Sequence, residues 1–165
     1  MADPTEPTTP AIEAAEAAGV PHRVVRTRPA GSAEESADLQ GIPLDALLRT
    51  IVVRRGEGDY VFVLVPAGRR FDWPKLRGHL GVSRLSLPDA DEARDVTGYA
   101  RYTITPFGST TAWPVIADAA LVGRPVVAIG GGAQGVNLHF APDDLVAALG
   151  AEVVDVTQPE APPAT

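Results

Sequence analysis

Three short segments carry residues of a kind that could do chemistry. In the first, Leu48-Arg49-Thr50-Ile51-Val52-Val53, a cation heads an apolar run. At the mouth of a buried strand a guanidinium can point into a cleft; an exposed arginine at a strand end is the plain alternative. The second is Thr103-Ile104-Thr105-Pro106-Phe107-Gly108-Ser109. Proline fixes one backbone angle and glycine permits unusual ones, so this reads as a rigid loop. Its hydroxyls and free N–H groups could hold a carbonyl or a ribose, whereas Phe107 reads better as a core plug. The third, Gly130-Gly131-Gly132-Ala133-Gln134-Gly135, has four glycines in six residues and allows close backbone approach to a ligand. It joins two expected strands, so it lacks the strand–loop–helix setting of a dinucleotide site, and it lacks the Gly-Lys-Ser/Thr ending of a P-loop. A hairpin turn is the alternative there.

Other chemistries are excluded or weakly supported. The 165 residues include no Cys, hence no disulfide, thiolate metal site or Cys nucleophile. His22, His79 and His139 are in no ligand spacing, so no metal is expected. No Ser-His-Asp arrangement or Gly-x-Ser-x-Gly stands out. The carboxylate pairs Asp91/Glu92 and Asp143/Asp144 sit at expected helix starts, where capping explains them. The net charge of −7 argues against general nucleic-acid binding. Its distribution softens that objection: Arg49, Arg54, Arg55, Arg69, Arg70, Lys75, Arg77 and Arg84, against Glu57, Asp59 and Asp72, make that stretch +5 and the remainder −12. Either one basic face meets a small part of a polyanion, or these are solvated strand ends. Lys75 is the only lysine among 14 basic residues, a sign of biased genome composition.

The elements that must hold these segments are readable from caps and apolar runs. Thr9 caps a helix from Pro10 to Ala18 that Gly19 ends. His22 to Thr27 reads as a strand. Ser32-Ala33-Glu34-Glu35 is a capping box for a helix closed by Gly41, and a helical turn follows Pro43. Arg49–Arg55 and Tyr60–Val65 form a hairpin about Gly56-Glu57-Gly58-Asp59, apolar enough to be buried on both faces. Asp72 caps a helix with Pro74 in its first turn, and Leu87-Pro88-Asp89 opens another ending near Gly98. Strands follow at Trp113–Ala117, Pro125–Ile129, Val136–Phe140 and Val153–Val156, with a helix from Pro142 to Gly150. Hairpins interleaved with helices in irregular order give α+β in a single domain. Residues 1–8 and 158–165 are expected to be disordered tails about a domain of residues 9–157. Met1–Pro10 does not resemble a signal peptide, and runs such as Tyr60–Val65 are too short to span a bilayer, so a cytoplasmic protein with no membrane partner is expected.

At these segments the chain resembles the YbaK/prolyl-tRNA-synthetase-associated family of aminoacyl-tRNA editing domains. The family's Lys-Thr-Leu-Val-Val strand stands here as Arg49-Thr50-Ile51-Val52-Val53, its Val-Pro ending as Val65-Pro66, and its Asp-x-x-Lys-Leu helix start as Asp72-Trp73-Pro74-Lys75-Leu76. Thr97-Gly98-Tyr99 and Thr105-Pro106-Phe107-Gly108 match two further segments, Asp118 an Asp after an apolar strand, and Gly130–Gly135 with Pro142-Asp143-Asp144-Leu145 the last. The matches cover roughly Thr9 to Val156, in order.

The resemblance implies a mixed, barrel-like sheet flanked by helices. It implies hydrolysis of the ester joining a wrong amino acid to the 3′ end of tRNA, of the Cys- or Ala-tRNAPro type, without metal or organic cofactor. An aminoacyl-tRNA synthetase is a further implied partner. Carried over, Arg49 and the backbone of Gly108 and Gly131 would serve catalysis; Thr50, Thr105, Pro106, Phe107, Asp118, Gly130, Gly132 and Gln134 would bind substrate. Three departures stand out. Arg49 replaces the family Lys, keeping the charge but unable to act as a base. Gln134 replaces a basic residue of the glycine loop. Tyr102 and Thr103 replace small glycines before the Thr-Pro element, which would reshape the aminoacyl pocket. The rival readings are a tRNA-end or nucleotide-binding module of the same fold without catalysis, and an interaction protein working through its +5 face.

Overall fold

The computed structural model describes residues 7–160. The chain runs α1 (Pro10–Ala17), β1 (Arg23–Arg26), α2 (Ala33–Gln40), a 3-10 turn (Leu44–Ala46), β2 (Leu48–Gly56), β3 (Asp59–Pro66), β4 (Arg69–Phe71), α3 (Trp73–Leu80) and α4 (Ala90–Thr97). It continues through β5 (Val115–Asp118), a second 3-10 turn (Ala119–Leu121), β6 (Val127–Gly130), β7 (Val136–Phe140), α5 (Pro142–Leu149), β8 (Glu152–Val154) and β9 (Thr157–Pro159). The expected caps form: the side chains of Thr9, Ser32, Asp72 and Asp89 accept from the backbone N–H of Ile12, Glu35, Lys75 and Glu92.

The strands build three sheets: β1-β7-β6 antiparallel, β2-β3-β5-β8 mixed, and the short antiparallel pair β4-β9. Among the described residues no closed barrel forms, which corrects the barrel-like expectation. The physical reason lies in β2. It is an edge strand, joined to the other large sheet only by an isolated bridge from Leu47 to Ala128, after which the two strands part.

Alternation along the central hairpin sorts side chains into two cores. Leu48, Val52, Phe62 and Leu64 pack with Ile129, Leu138, Phe140 and Leu145 between the large sheets. Val53, Val61, Val63 and Val65 pack on the other face against Leu76 of α3 and Val156. Each such side chain, fully buried, contributes about 1.5–3 kcal/mol. β3 is buried on both faces as expected, but β2 is only partly so, because its outer edge borders a cavity. The pairing of β4 with β9 was not foreseen; the tail expected from residue 158 begins inside β9, and the expected tail residues 1–6 and 161–165 lie outside the described residues. Among the described residues no helix is long and apolar enough to cross a membrane.

Candidate active site

A cavity of about 650 Å³ opens where β2 and β6 diverge. Its walls are β2 from Leu48 to Val52, Ser36 of α2, the start of α4 at Asp89–Ala90, the Arg101–Ile104 segment, and Gly130 and Asn137 of the β6–β7 hairpin. The α4 wall is fixed from behind. The Tyr60 hydroxyl donates to Glu92 (2.8 Å), which raises the Tyr60 pKa, and the Trp113 indole N–H donates to the Val96 carbonyl (2.8 Å).

The outer edge of β2 supplies the most reactive-looking backbone. Arg54 exchanges both of its backbone hydrogen bonds with Ser86 (2.8 and 3.1 Å), so its N–H and C=O point away from β3. In an antiparallel ladder that orientation repeats every second residue. The N–H and C=O of Thr50 and Val52 therefore also point outward, between the bridges at Leu47 and Arg54, into the cavity. The Thr50 hydroxyl is buried and has no partner there. Buried polar groups are ordinarily paired, so an open strand edge beside an unpartnered hydroxyl is a place where a ligand's polar atoms would be welcome.

Arg49 borders the same cavity, with its side chain on the opposite face of β2 from Thr50. Its Nη2 donates to the Arg69 carbonyl (2.6 Å), which leans the guanidinium over the strand end. Arg69 is itself held by Thr157 (2.7 Å) and faces the buried Asp118 carboxylate at 3.7 Å. Asp118 is 1% exposed and accepts from the N–H groups of Ala120 and Val156, both 3.0 Å. Its visible work is to lock the chain before β9 and to back Arg69.

Of the other residues singled out from sequence, Gly130 lines the cavity, and Gly108, Gly131, Gly132, Thr105, Pro106, Phe107, Asp118 and Gln134 do not. The glycine turns instead serve the packing of α1. A Cβ on Gly108, where φ is +73°, would sit 2.6 Å from the Pro10 carbonyl. The Gly131 N–H is bonded to the Val136 carbonyl (2.8 Å), so it is not free to hold an oxyanion, and the Gly131 carbonyl accepts from the Thr9 hydroxyl (2.6 Å). Phe107 stacks on Phe140 at 5.3 Å, the core plug read from sequence. Thr105 is fully buried, and its hydroxyl and that of Ser109 lack partners. Gln134 is exposed at the turn tip.

One cavity feature escaped the reading of single motifs, and another was read only as bulk that would reshape the pocket. A polar chain reaches the wall through α2: the buried His139 Nε2 meets Gln40 Oε1 (2.9 Å), and Gln40 Nε2 donates to the Ser36 hydroxyl (2.9 Å). Burial, aided by the nearby Arg23, lowers the His139 pKa, so the neutral imidazole prevails. With its oxygen accepting from Gln40, Ser36 retains a proton to donate. Asn137 lines the same cavity and donates to the Val25 carbonyl (3.3 Å). The second feature is the rim. Thr103 bonds back to the Ala100 carbonyl through its N–H (3.0 Å), making Ala100–Thr103 a turn whose third residue, Tyr102, has φ +70°. That is the glycine position of a type II turn, and holding a tyrosine there costs about 1–2 kcal/mol.

The +5 stretch is divided. Arg54, Arg55 and Arg84 border a second hollow of about 480 Å³, with Arg55 paired to Asp59 (2.8 Å), while Lys75 pairs with Asp155 (2.8 Å). Among the described residues no cluster of three or more His, Cys, Asp or Glu could hold a metal ion.

The aminoacyl-tRNA editing domain model matches residues 27–148. A candidate Cys-tRNA(Pro)/Cys-tRNA(Cys) deacylase, EbsC, of Enterococcus faecalis is 21% identical over 129 residues, covering 78% of this chain and 79% of that protein. A proline–tRNA ligase of Trichlorobacter lovleyi is 29% identical over 87 residues, 53% of this chain but only 15% of the ligase. A crystal structure described as a candidate trans-editing enzyme for prolyl-tRNA synthetase superposes with a TM-score of 0.81 at 30% identity, covering 88% of this chain and 93% of that one.

Proposed function

Because the chain belongs to the aminoacyl-tRNA editing domain family, we propose that it hydrolyses the ester of mischarged tRNA in this cavity, with Cys- or Ala-tRNAPro as substrate. The observation that carries this reading is the unpaired β2 edge beside the unpartnered Thr50 hydroxyl. The functional unit is taken as residues 9–157.

In this mechanism water attacks the ester carbonyl carbon. The bond from that carbon to the ribose oxygen breaks, the ribose oxygen takes a proton, and the free amino acid leaves. The outward N–H of Thr50 and the Thr50 hydroxyl meet the developing oxyanion, while the Val52 N–H, one pleat further along the edge, is left for another polar atom of the substrate. Each such donor is worth about 3 kcal/mol in other acyl-transfer enzymes. The outward carbonyls of the same edge accept from the N–H groups of the substrate's α-amino group. Arg49 stands at the strand end as a fixed positive charge for the terminal nucleotide. The ionisable side chains on the cavity wall are Arg49, Asp89, Arg101 and Tyr102; Asp89 already caps α4 through the Glu92 N–H (2.8 Å), and Tyr102 stands out at the rim. With no side chain placed as a general base, the water is activated by the substrate's own ribose hydroxyl or amino group.

The test is a panel of mischarged tRNAs, beginning with Ala- and Cys-tRNAPro. Hydrolysis of one or both above background is expected, and none for any charge would end the catalytic reading. The tether of Arg49 to the Arg69 carbonyl favours one rival, a module that binds the tRNA end without cleaving it. Arg49→Lys separates the two. On our reading activity falls, because the lysine cannot both hold that carbonyl and face the nucleotide; a large gain would mark a lapsed enzyme.

A further inference from the structure

Among the described residues the fold leaves four large apolar side chains most exposed, Leu87, Tyr102, Val122 and Val153, and two of them, Leu87 (54%) and Tyr102 (83%), stand on the mouth of the same cavity. Tyr102 is also the one non-glycine residue among the described residues with positive φ. The turn's own bonds hold the backbone there, the Thr103 N–H and hydroxyl both donating to the Ala100 carbonyl (3.0 and 2.7 Å), while the ring takes no part in core packing. The Arg101 guanidinium lies 4.9 Å from its ring centroid and covers one face, leaving the other open to solvent. A strained, exposed, cation-backed aromatic ring beside a substrate cavity calls for a flat ligand that the cavity itself does not hold.

We propose that the open face of Tyr102, braced by Arg101 and bordered by Leu87, is the stacking platform for the terminal nucleobase of the aminoacyl-tRNA. The inference rests on the deacylase reading for its ligand. If the ester carbonyl lies on the β2 edge, the ribose that carries it sits toward the cavity mouth, and the base attached to that ribose emerges at the rim. A purine presents a π-face of the size of the tyrosine ring, and stacking of this kind tolerates any base. Arg101 adds a positive charge where the terminal phosphate must pass.

The experiment uses the full chain and an uncharged RNA hairpin ending in CCA, with 2-aminopurine as the last base, so that binding is read without turnover. Stacking quenches the 2-aminopurine. We expect Tyr102→Phe to bind within twofold of the parent. Tyr102→Gly, which suits the left-handed turn and so keeps or raises Tm, should lose about tenfold in affinity and most of the quench, within the range for one base on one aromatic ring. A hairpin with an abasic last position should bind the parent about tenfold more weakly. It should show no further loss with Tyr102→Gly, because the two changes remove one and the same contact. Unchanged affinity for Tyr102→Gly, losses that add, or no binding of the hairpin by the parent would each overturn the proposal. Failure here leaves hydrolysis of mischarged tRNA to be scored by its own assay. In that assay Tyr102→Gly should raise KM about tenfold with kcat nearly unchanged.

Discussion

The turns behind α1 and the rim of the cavity are both irregular backbone, yet most polar groups named in the first are paired, the buried Thr105 and Ser109 hydroxyls excepted, and those along the second are open. Behind α1, the Thr9 hydroxyl is taken up by the Gly131 carbonyl, the Gly131 N–H by Val136, and the Tyr99 hydroxyl by the Phe107 carbonyl (2.6 Å). At Gly108 and Gly131 a Cβ would collide, 2.6 Å from the Pro10 carbonyl and from the Val136 side chain, and at Gly132 it would crowd Tyr99 at 3.0 Å. Along the cavity, the Thr50 hydroxyl has no partner, the edge of β2 faces no strand, and Tyr102 is held in a costly conformation under solvent. Gly108 and Gly131 mark close packing, whereas the Thr50 hydroxyl, the open β2 edge and the strained Tyr102 gather on one cavity, where a ligand's polar atoms and flat faces would be met. Substitutions in the first region should therefore act on stability, and those in the second on function.

The largest effect should come from Gly108→Ala. The left-handed backbone disfavours alanine, and the new Cβ would lie 2.6 Å from the Pro10 carbonyl and 2.7 Å from the Tyr99 hydroxyl. A loss of about 3 kcal/mol is expected, read as a fall of about 10 °C in Tm. A variant of normal Tm with abolished hydrolysis would break the division and return Gly108 to the chemistry. Next is Asp118→Asn, at about 2 kcal/mol, since the amide cannot accept both backbone N–H groups with its single oxygen and leaves one of them buried and unpaired. Its KM, and its kcat once corrected for the folded fraction, should stay within twofold of the parent, because Asp118 lies off the cavity wall. A large rise in KM would make it a substrate ligand after all.

Thr50→Val sharpens the other side. The methyl replaces a hydroxyl that no protein group uses, so stability should hold or rise by up to about 1 kcal/mol. Meanwhile kcat/KM for mischarged tRNA should drop about tenfold, through kcat if the hydroxyl meets the oxyanion. Equal loss of stability and activity would show that Thr50 is merely structural.

Much of this could be read from the chain. Helix limits were legible because caps are local: Thr9, Ser32, Asp72 and Asp89 act on N–H groups three residues away. The central hairpin was legible from its valines and the turn between them. The cavity was not. Its character depends on which way β2 turns its backbone, which the register of its pairing with β3 sets, and on how far apart the distant Ala128 and Ser86 close that edge, which no residue of β2 reveals. Gly131 and Gly132 drew attention for the freedom glycine gives, but sequence cannot say whether that freedom serves a ligand or, as here, a helix. Tyr102 was visible only as an unusual large residue before Thr105-Pro106; its left-handed φ and its place on the rim needed coordinates.

The smallest predicted effect concerns the one side chain that reaches both regions. His139 lies in β7 beside Phe140 of the packed core, and through Gln40 it orients Ser36 on the cavity wall. Burial and Arg23 hold its folded pKa below the ordinary 6.5, so the unfolded chain binds the proton first. Stability from this group is therefore complete above about pH 6.5 and is lost as pH falls from there toward the lower folded value, at no more than about 1.4 kcal/mol per pH unit for one proton. The carboxylates with depressed pKa values, Glu35 and Asp155, act in a separate window, below their ordinary 4.5 and 3.8. Denaturant titrations from pH 5 to 7.5 should show the slope in the parent and lose it in His139→Asn, which keeps a neutral partner for Gln40. Protonation also makes Nε2 a donor under every tautomer, which keeps the Gln40 oxygen as its acceptor and leaves Ser36 where it was. Single-turnover hydrolysis, corrected for the folded fraction, should then have the same pH profile in the parent and in His139→Asn. A drop in the parent that His139→Asn does not share would mean that the imidazole governs the cavity wall directly, and that the packed region and the open one are coupled through α2.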